Sequence, residues 1–284
     1  MERIKAVKIT EKVAQLCKET NYKLGEDVIE AYKESLAREE SAVAKEVLEQ
    51  LIENAEIAKN KEVPICQDTG MVVVFLEVGQ NLKIEGDLKE AVNKGVKKGY
   101  EEGYLRKSVV NDPLIERENT GDNTPAVIHT EIVPGSNLKI TVAPKGFGSE
   151  NMSQMKMFNP TAGIEEIKDF IMKVVEEAGP NPCPPIVVGV GIGGTLDKAA
   201  LLAKKSLLRD IGEYNSDPNY RSLEVEILEE INSTGIGPQG LGGKTTALDV
   251  NIEEFPTHIA GLPVVVNINC HVARHKTVVI EKNS

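Results

Sequence analysis

Apolar positions change their period along the chain, and the changes mark off regions of different structure. Through residues 4–52 they recur every three or four positions. Val7, Val13 and Leu16 form one set, Val28, Ile29, Tyr32 and Leu36 a second, and Val43, Val47, Leu48, Leu51 and Ile52 a third, with lysines and glutamates between them. That spacing predicts amphipathic helices and a mainly helical region over residues 1–60. After Asn60 the texture differs. Val72, Val73, Val74, Phe75 and Leu76 run without a polar break between Gly70 and Gly79, which predicts a buried strand. Helical spacing returns over 88–104, 164–178, 195–208 and 223–231. Strands are predicted over 185–190 and 263–268, and over 126–133 and 138–142, the last two read as an antiparallel pair across Pro134, Gly135 and Ser136. The fold class expected is mixed α/β, a helical N-terminal region followed by a mixed sheet flanked by helices. No linker, internal repeat or low-complexity tract divides the chain, so one domain is expected across 1–284.

Composition narrows the function. The 284 residues carry 33 basic and 44 acidic side chains, a formal charge of −11, and no stretch supplies a basic face, which argues against a nucleic-acid partner. Aromatic residues are 4%, with no Trp, which removes stacking platforms for bases or sugars. No window approaches the ~20 apolar residues of a membrane span, and the N-terminal stretch interleaves charges with its apolar positions, so a cytoplasmic protein is expected.

Chemistry concentrates between the predicted elements. PICQDTG (64–70) places a thiol, an amide, a carboxylate and a hydroxyl on consecutive residues; turn formation accounts for Asp68 to Gly70 but not for Cys66 and Gln67. NTGDNTP (119–125) and PKGFGSEN (144–151) are rich in capping side chains and in glycines that admit a ligand close to the main chain. Residues 186–195 read as strand, glycines and helix start, a geometry that can hold a carboxylate or small phosphate; a dinucleotide is excluded because no acidic strand end follows at the required distance. GPQGLGGKTT (237–246) imitates a phosphate loop, but Pro238 stands where the pattern requires Gly, and a strand-like alternation follows instead of a helix. Three of the four histidines lie within residues 258–275, beside Cys270.

The four cysteines sort into two kinds. Cys17 lies in the first amphipathic helix, where burial is the default, whereas Cys66, Cys183 and Cys270 each stand in a Pro-, Gly- or Asn-rich loop at a strand end. Zinc requires paired spacings such as C-x-x-C, and none occurs. An iron–sulfur cluster tolerates scattered ligands, and three thiolates on a four-iron cluster leave one iron without a protein ligand, a Lewis acid for a substrate hydroxyl and carboxylate.

The blocks PICQDTG (64–70), NTGDNTPA (119–126), PKGFGSENMS (144–153), CPPIVVGVGIGGT (183–195), GPQGLGGKTTAL (237–248) and PTHIAGLPVVVNINCHVARH (256–275), in this order, resemble the class I fumarase and L-tartrate dehydratase family, specifically the alpha subunit of its two-subunit form. The resemblance implies an oxygen-sensitive [4Fe-4S] hydro-lyase acting on a small dicarboxylate, with Cys66, Cys183 and Cys270 as cluster ligands and Gln67, Asp68, Arg106 and His258 facing the substrate. Arg106 suits a bidentate carboxylate contact, Asp68 suits proton steering or holding the leaving water, and His258 suits a hydrogen bond to carboxylate or hydroxyl. It further implies that a separate beta subunit completes the site, so a hetero-oligomer is expected, with an alpha homodimer for the chain alone. Reversible hydration of fumarate to (S)-malate is the first expectation. Dehydration of L-tartrate is the alternative within the family, and a non-catalytic cluster-binding or iron-sensing partner the alternative outside it.

Overall fold

A computed structural model describes residues 2–281. In chain order the elements are β1 (Glu2–Lys5), α1 (Ala6–Tyr22), α2 (Glu26–Arg38), α3 (Ala42–Lys61), β2 (Met71–Gly79), β3 (Leu82–Glu85), α4 (Leu88–Glu102), β4 (Val127–Val133) and β5 (Leu138–Lys145). There follow α5 (Phe147–Glu150), β6 (Gln154–Phe158), α6 (Ile164–Ala178), β7 (Ile186–Gly193), α7 (Leu196–Ser206), α8 (Pro218–Ser233), β8 (Ala247–Phe255), β9 (Leu262–Asn269) and β10 (Lys276–Ile280). The class is mixed α/β, as the periodicity predicts. By its contacts the chain divides into two compact units, the first built from residues 2–24, 55–146 and 274–281, the second from 25–54 and 147–273. Both units are assembled from separated stretches, so their boundaries leave no linker in the sequence.

In the first unit a four-stranded sheet has the order β10-β5-β2-β4, with β1 and β3 paired as a separate ribbon. Val72, Val74 and Leu76 of β2, with Leu138, Ile140 and Val142 of β5, turn one face toward α1 and α4. The helices approach closely because a Cβ at Gly95 would come 2.6 Å from the Val13 Cβ and one at Gly99 would come 2.8 Å from the Ala14 carbonyl oxygen. α1 rotates so that Ile9, Val13, Leu16 and Cys17 are buried, which leaves Val7 outside, against its expected inward position.

The expected pairing of 126–133 with 138–142 is corrected. β2 lies between them, parallel to β4 and antiparallel to β5. The physical reason is that β2 is apolar on both faces and takes an interior place, while β4, largely exposed, takes the edge. The 134–137 connection passes the end of β2, where Gly79 donates to Asn137 O at 2.9 Å and Gln80 to Val133 O at 2.8 Å.

The second unit has the sheet order β6-β9-β7-β8. Val188, Val190, Val250, Ile252, Val264 and Val266 form its core with Ile171, Val174, Ile227 and Ile231 of α6 and α8. α7 covers the other face, lying so close to β7 that a Cβ at Gly191 would stand 2.0 Å from the Ala199 carbonyl oxygen. β7 therefore continues through glycines that look like a loop in sequence, and α8 starts at Pro218, capped by Asp217, five residues before the apolar pattern begins. The outer edge of β8 is closed by side chains: Ile252 N donates to Glu224 and Ile252 O accepts from Asn215. Among the described residues no helix is long and apolar enough to cross a membrane.

Candidate functional site

The first unit presents the PICQDTG segment as the loop between α3 and β2. Ile65 is buried and its N–H donates to Asn21 O at 2.9 Å, which anchors the loop and leaves Cys66 half-buried, Gln67 exposed and Asp68 half-buried. The Cys66 thiol donates to the Gln67 side-chain oxygen at 3.4 Å. The Asp68 carboxylate accepts the Gly70 N–H at 3.0 Å. Gly70, at φ +78°, packs on the backbone of Lys145, where a Cβ would come within 2.8 Å of the Lys145 nitrogen.

Side chains from three other segments take the carbonyls of this loop. Arg274 Nη2 donates to Asp68 O at 2.6 Å, Tyr100 donates to Thr69 O at 2.6 Å and stands 3.0 Å from Gly70 O, and Asn123 donates to Gly70 O at 3.1 Å. Burial pushes the Tyr100 phenol up, which keeps it a donor. The Thr69 hydroxyl in turn donates to Arg106 O at 2.9 Å, and Asn123 Oδ1 accepts the Ser108 N–H at 2.8 Å. Leu105 is buried beneath Arg106, whose guanidinium is exposed and without an ion pair or hydrogen bond among the described residues. Gln67, Asp68 and Arg106 thus belong to one hydrogen-bonded assembly.

The second unit holds Cys183 and Cys270 at one end of its sheet. Cys183 precedes β7 at φ +55°, exposed, with its N–H on Pro180 O at 3.0 Å. Cys270 follows β9, antiparallel to β7, so both residues belong to the same sheet end. His271 N donates to Cys183 O at 3.1 Å, and its Nδ1 lies 3.2 Å from the same oxygen. Gln239 grips the next carbonyl, Pro184 O, with both its backbone N–H and its Nε2 at 2.7 Å. The Tyr32 hydroxyl donates to His271 O from the buried face of α2.

His258 is not with them. It lies exposed in the β8–β9 connection, where Thr257 donates to Gly194 O past the far end of β7, and eight strand residues separate the two ends by roughly 25 Å.

The 186–195 turn, read as a place for a carboxylate or small phosphate, and the 237–246 segment, whose likeness to a phosphate loop the sequence argues against, each meet a carboxylate of the chain itself. In the 237–246 segment Glu39 accepts the Lys244 N–H at 2.7 Å. Burial acts to raise the Glu39 carboxyl, but the N–H groups of Lys244, Ser41 and Glu40 outweigh it and hold the group below its ordinary range. At the start of α7, Asp197 accepts the Thr195 hydroxyl at 2.5 Å, and this bond, with the N–H groups of Asp197 and Lys198, holds its carboxyl below the ordinary range.

The thiols also separate by environment. Burial of Cys17 pushes its pKa up to about 12, which keeps it a thiol in the core. Cys66, Cys183 and Cys270 are at least partly accessible and stand in strand-end loops, the donor chemistry a cluster with three thiolate ligands requires. Cys66 belongs to the first unit, Cys183 and Cys270 to the second. Among the described residues, neither unit by itself gathers three His, Cys, Asp or Glu side chains into a metal-sized group.

Sequence reasoning missed Tyr32, Tyr100, Asn123, Gln239 and Arg274 as supporting residues. Asn123, Gln239 and Arg274 sit inside segments singled out for other features, so their signal was proximity to Cys, Asp or His. The two tyrosines occupy apolar-face helical positions that announce no polar role.

The family model described as fumarate hydratase (Fumerase) matches residues 10–279. The chain is 46% identical over 273 residues to a protein of Methanocaldococcus jannaschii provisionally named L(+)-tartrate dehydratase subunit alpha, covering 94% of this chain and 96% of the relative. It is 30% identical over 275 residues to the L(+)-tartrate dehydratase subunit alpha of Escherichia coli O157:H7, covering 96% and 91%, and equally to that of Escherichia coli K12.

Proposed function

Because the chain belongs to the fumarate hydratase (Fumerase) family of hydro-lyases, we propose that it is the alpha subunit of an enzyme that interconverts fumarate and (S)-malate, completed by a separate beta subunit. The observation that carries this reading is the assembly in the first unit, an exposed and unpaired Arg106 tied through Thr69 to the loop that presents Gln67 and Asp68. A dicarboxylate needs a cationic fork, which Arg106 supplies. Water addition needs a proton delivered and removed near the hydroxyl carbon, and Asp68 is the carboxylate placed to hold or move it. The Gln67 amide offers a donor and an acceptor for the substrate hydroxyl. Gly146 leaves room beside Asp68, since a Cβ there would stand 3.3 Å from Asp68 Oδ2.

Cys66, Cys183 and Cys270 are the proposed ligands of a [4Fe-4S] cluster. When bound, such a group supplies an iron without a protein ligand, a Lewis acid that favours departure of hydroxide. His258 is left out of the proposed set because its sheet end is opposite that of Cys183 and Cys270. The names of the relatives support the beta subunit, and they also support a second reading, dehydration of L-tartrate, in which Gln67 would meet the additional hydroxyl.

The test is anaerobic reconstitution of the chain alone and with its beta subunit, assayed with fumarate and L-tartrate in parallel. The expected result is a higher kcat/KM for fumarate in the complex and background rates for the alpha chain alone. A higher kcat/KM for L-tartrate replaces the first reading by the second, and no turnover of either by the complex overturns both.

A further inference from the structure

Arg274 is 5% exposed, yet its guanidinium is only partly engaged. Nη2 donates to Asp68 O at 2.6 Å, while Nε and Nη1 are buried with no hydrogen-bond partner, and no carboxylate pairs with the group among the described residues. Burying a guanidinium with donors unmade disfavours the folded state, and an apolar side chain of the same length would pack there without that cost. Stability therefore does not account for an arginine at this place.

The position of its one bond does. Asp68 O is the carbonyl next to the carboxylate assigned to the proton, and the following two carbonyls are held by Tyr100 and Asn123. Tyr100 and Asn123 fix the loop where it enters β2, whereas Arg274 holds the peptide between Asp68 and Thr69. Rotation of that peptide would turn the Asp68 side chain, and the Gly70 N–H bond to its carboxylate would change with it.

We propose that Arg274 is a positioning residue for the hydro-lyase reaction, fixing the Asp68 peptide so that the Asp68 carboxylate and the Gln67 amide keep one orientation. It touches neither substrate nor cluster in this role. The proposal rests on the functional reading of Gln67 and Asp68 above.

The test uses the anaerobically reconstituted alpha–beta complex with R274Q and R274K. R274Q is expected to lower kcat by about 100-fold, the scale of a misplaced catalytic group, with KM within threefold of wild type and unchanged iron content. R274K, which keeps a charged donor, is expected to recover at least tenfold of that loss. Hydrogen exchange of the Gly70 and Met71 amides is expected to quicken at least tenfold in R274Q while the α7 amides stay unchanged. A folded, iron-replete R274Q with wild-type kcat and exchange overturns the proposal, as does a kcat loss matched by equal loss of iron. Should R274Q fail to fold, R274M, which keeps the length and removes every donor, decides in its place, and wild-type values of both kcat and Gly70 exchange in it overturn the proposal. If the wild-type complex turns over neither dicarboxylate, the functional reading falls, and the exchange measurement still decides whether Arg274 holds the loop.

Discussion

The two units hold their cysteine loops by different means. In the first, consecutive carbonyls of Asp68, Thr69 and Gly70 are taken by side chains of Arg274, Tyr100 and Asn123, which come from three separate segments. In the second, Cys183 is held mainly through main chain, by its own N–H on Pro180 and its carbonyl on His271 N, with Gln239 and Tyr32 reinforcing from the sides. A loop held by side chains can be re-aimed by one substitution that leaves the core alone. A loop held by main chain is disturbed chiefly through the packing of the sheet that carries it. The first arrangement accompanies the residues assigned to substrate, and the second accompanies two of the three thiols.

The largest expected effect asks whether the two loops serve one cluster. Cys66→Ser, Cys183→Ser and Cys270→Ser should each abolish stoichiometric iron and its visible absorbance after anaerobic reconstitution. Cys17→Ala should keep the iron and cost about 1–2 kcal/mol in urea unfolding, as a small core truncation does. Full iron in any one of the three loop variants would remove that cysteine from the ligand set.

Next in size is a pH effect confined to the second unit. Burial, with Glu224 adding to it, pushes the Asp249 pKa from the usual 3.8 up to about 6, against the opposing N–H groups of Gly212 and Val250. Between those values the folded state binds more proton than the unfolded state, so this group's contribution falls as pH rises from 4 to 6. The loss reaches at most about 3 kcal/mol and is constant above that window. Asp249→Asn should flatten stability across pH 4–6, read by urea unfolding at stepped pH; an unchanged profile would show that Asp249 titrates as an ordinary carboxyl.

Gly191→Ala should destabilise by about 1–3 kcal/mol, since its methyl would meet the Ala199 carbonyl and push α7 off β7. Gln239→Ala should cost about 1 kcal/mol for the side-chain bond to Pro184 O while the backbone bond persists. A loss of several kcal/mol for Gln239→Ala would mean that the second loop also depends on side chains, and the contrast between the units would disappear.

What was legible in the sequence follows the same division. Strands buried on both faces, such as Val72–Leu76, stand out because every position is apolar. β7 was seen only in part, because Gly189 and Gly191 serve the close approach of α7 and read as loop residues. β1, β3, β6 and β10 are short or polar and carry no clear alternation, and they were not predicted. The pairing of β4 with β5 failed because β2, more than forty residues upstream of β4, takes the place between them; such non-local choices leave no mark in the intervening turn. At the site, Cys66, Gln67, Asp68, Cys183 and Cys270 were legible as chemistry out of keeping with turns. Arg274, Tyr100 and Gln239 were not, because which carbonyl a distant side chain reaches is decided by the tertiary fold.

The central claim is that Arg106 and the loop carrying Asp68 form the dicarboxylate-handling part of a hydro-lyase. Steady-state kinetics of the alpha–beta complex on fumarate, with Arg106→Met and Asp68→Asn beside wild type at equal iron content, test it most directly. The account predicts a KM at least tenfold higher for Arg106→Met, from loss of a charge-assisted carboxylate contact, and a kcat about 100-fold or more lower for Asp68→Asn, from loss of proton transfer. Both variants within twofold of an active wild-type complex in kcat and KM would contradict it.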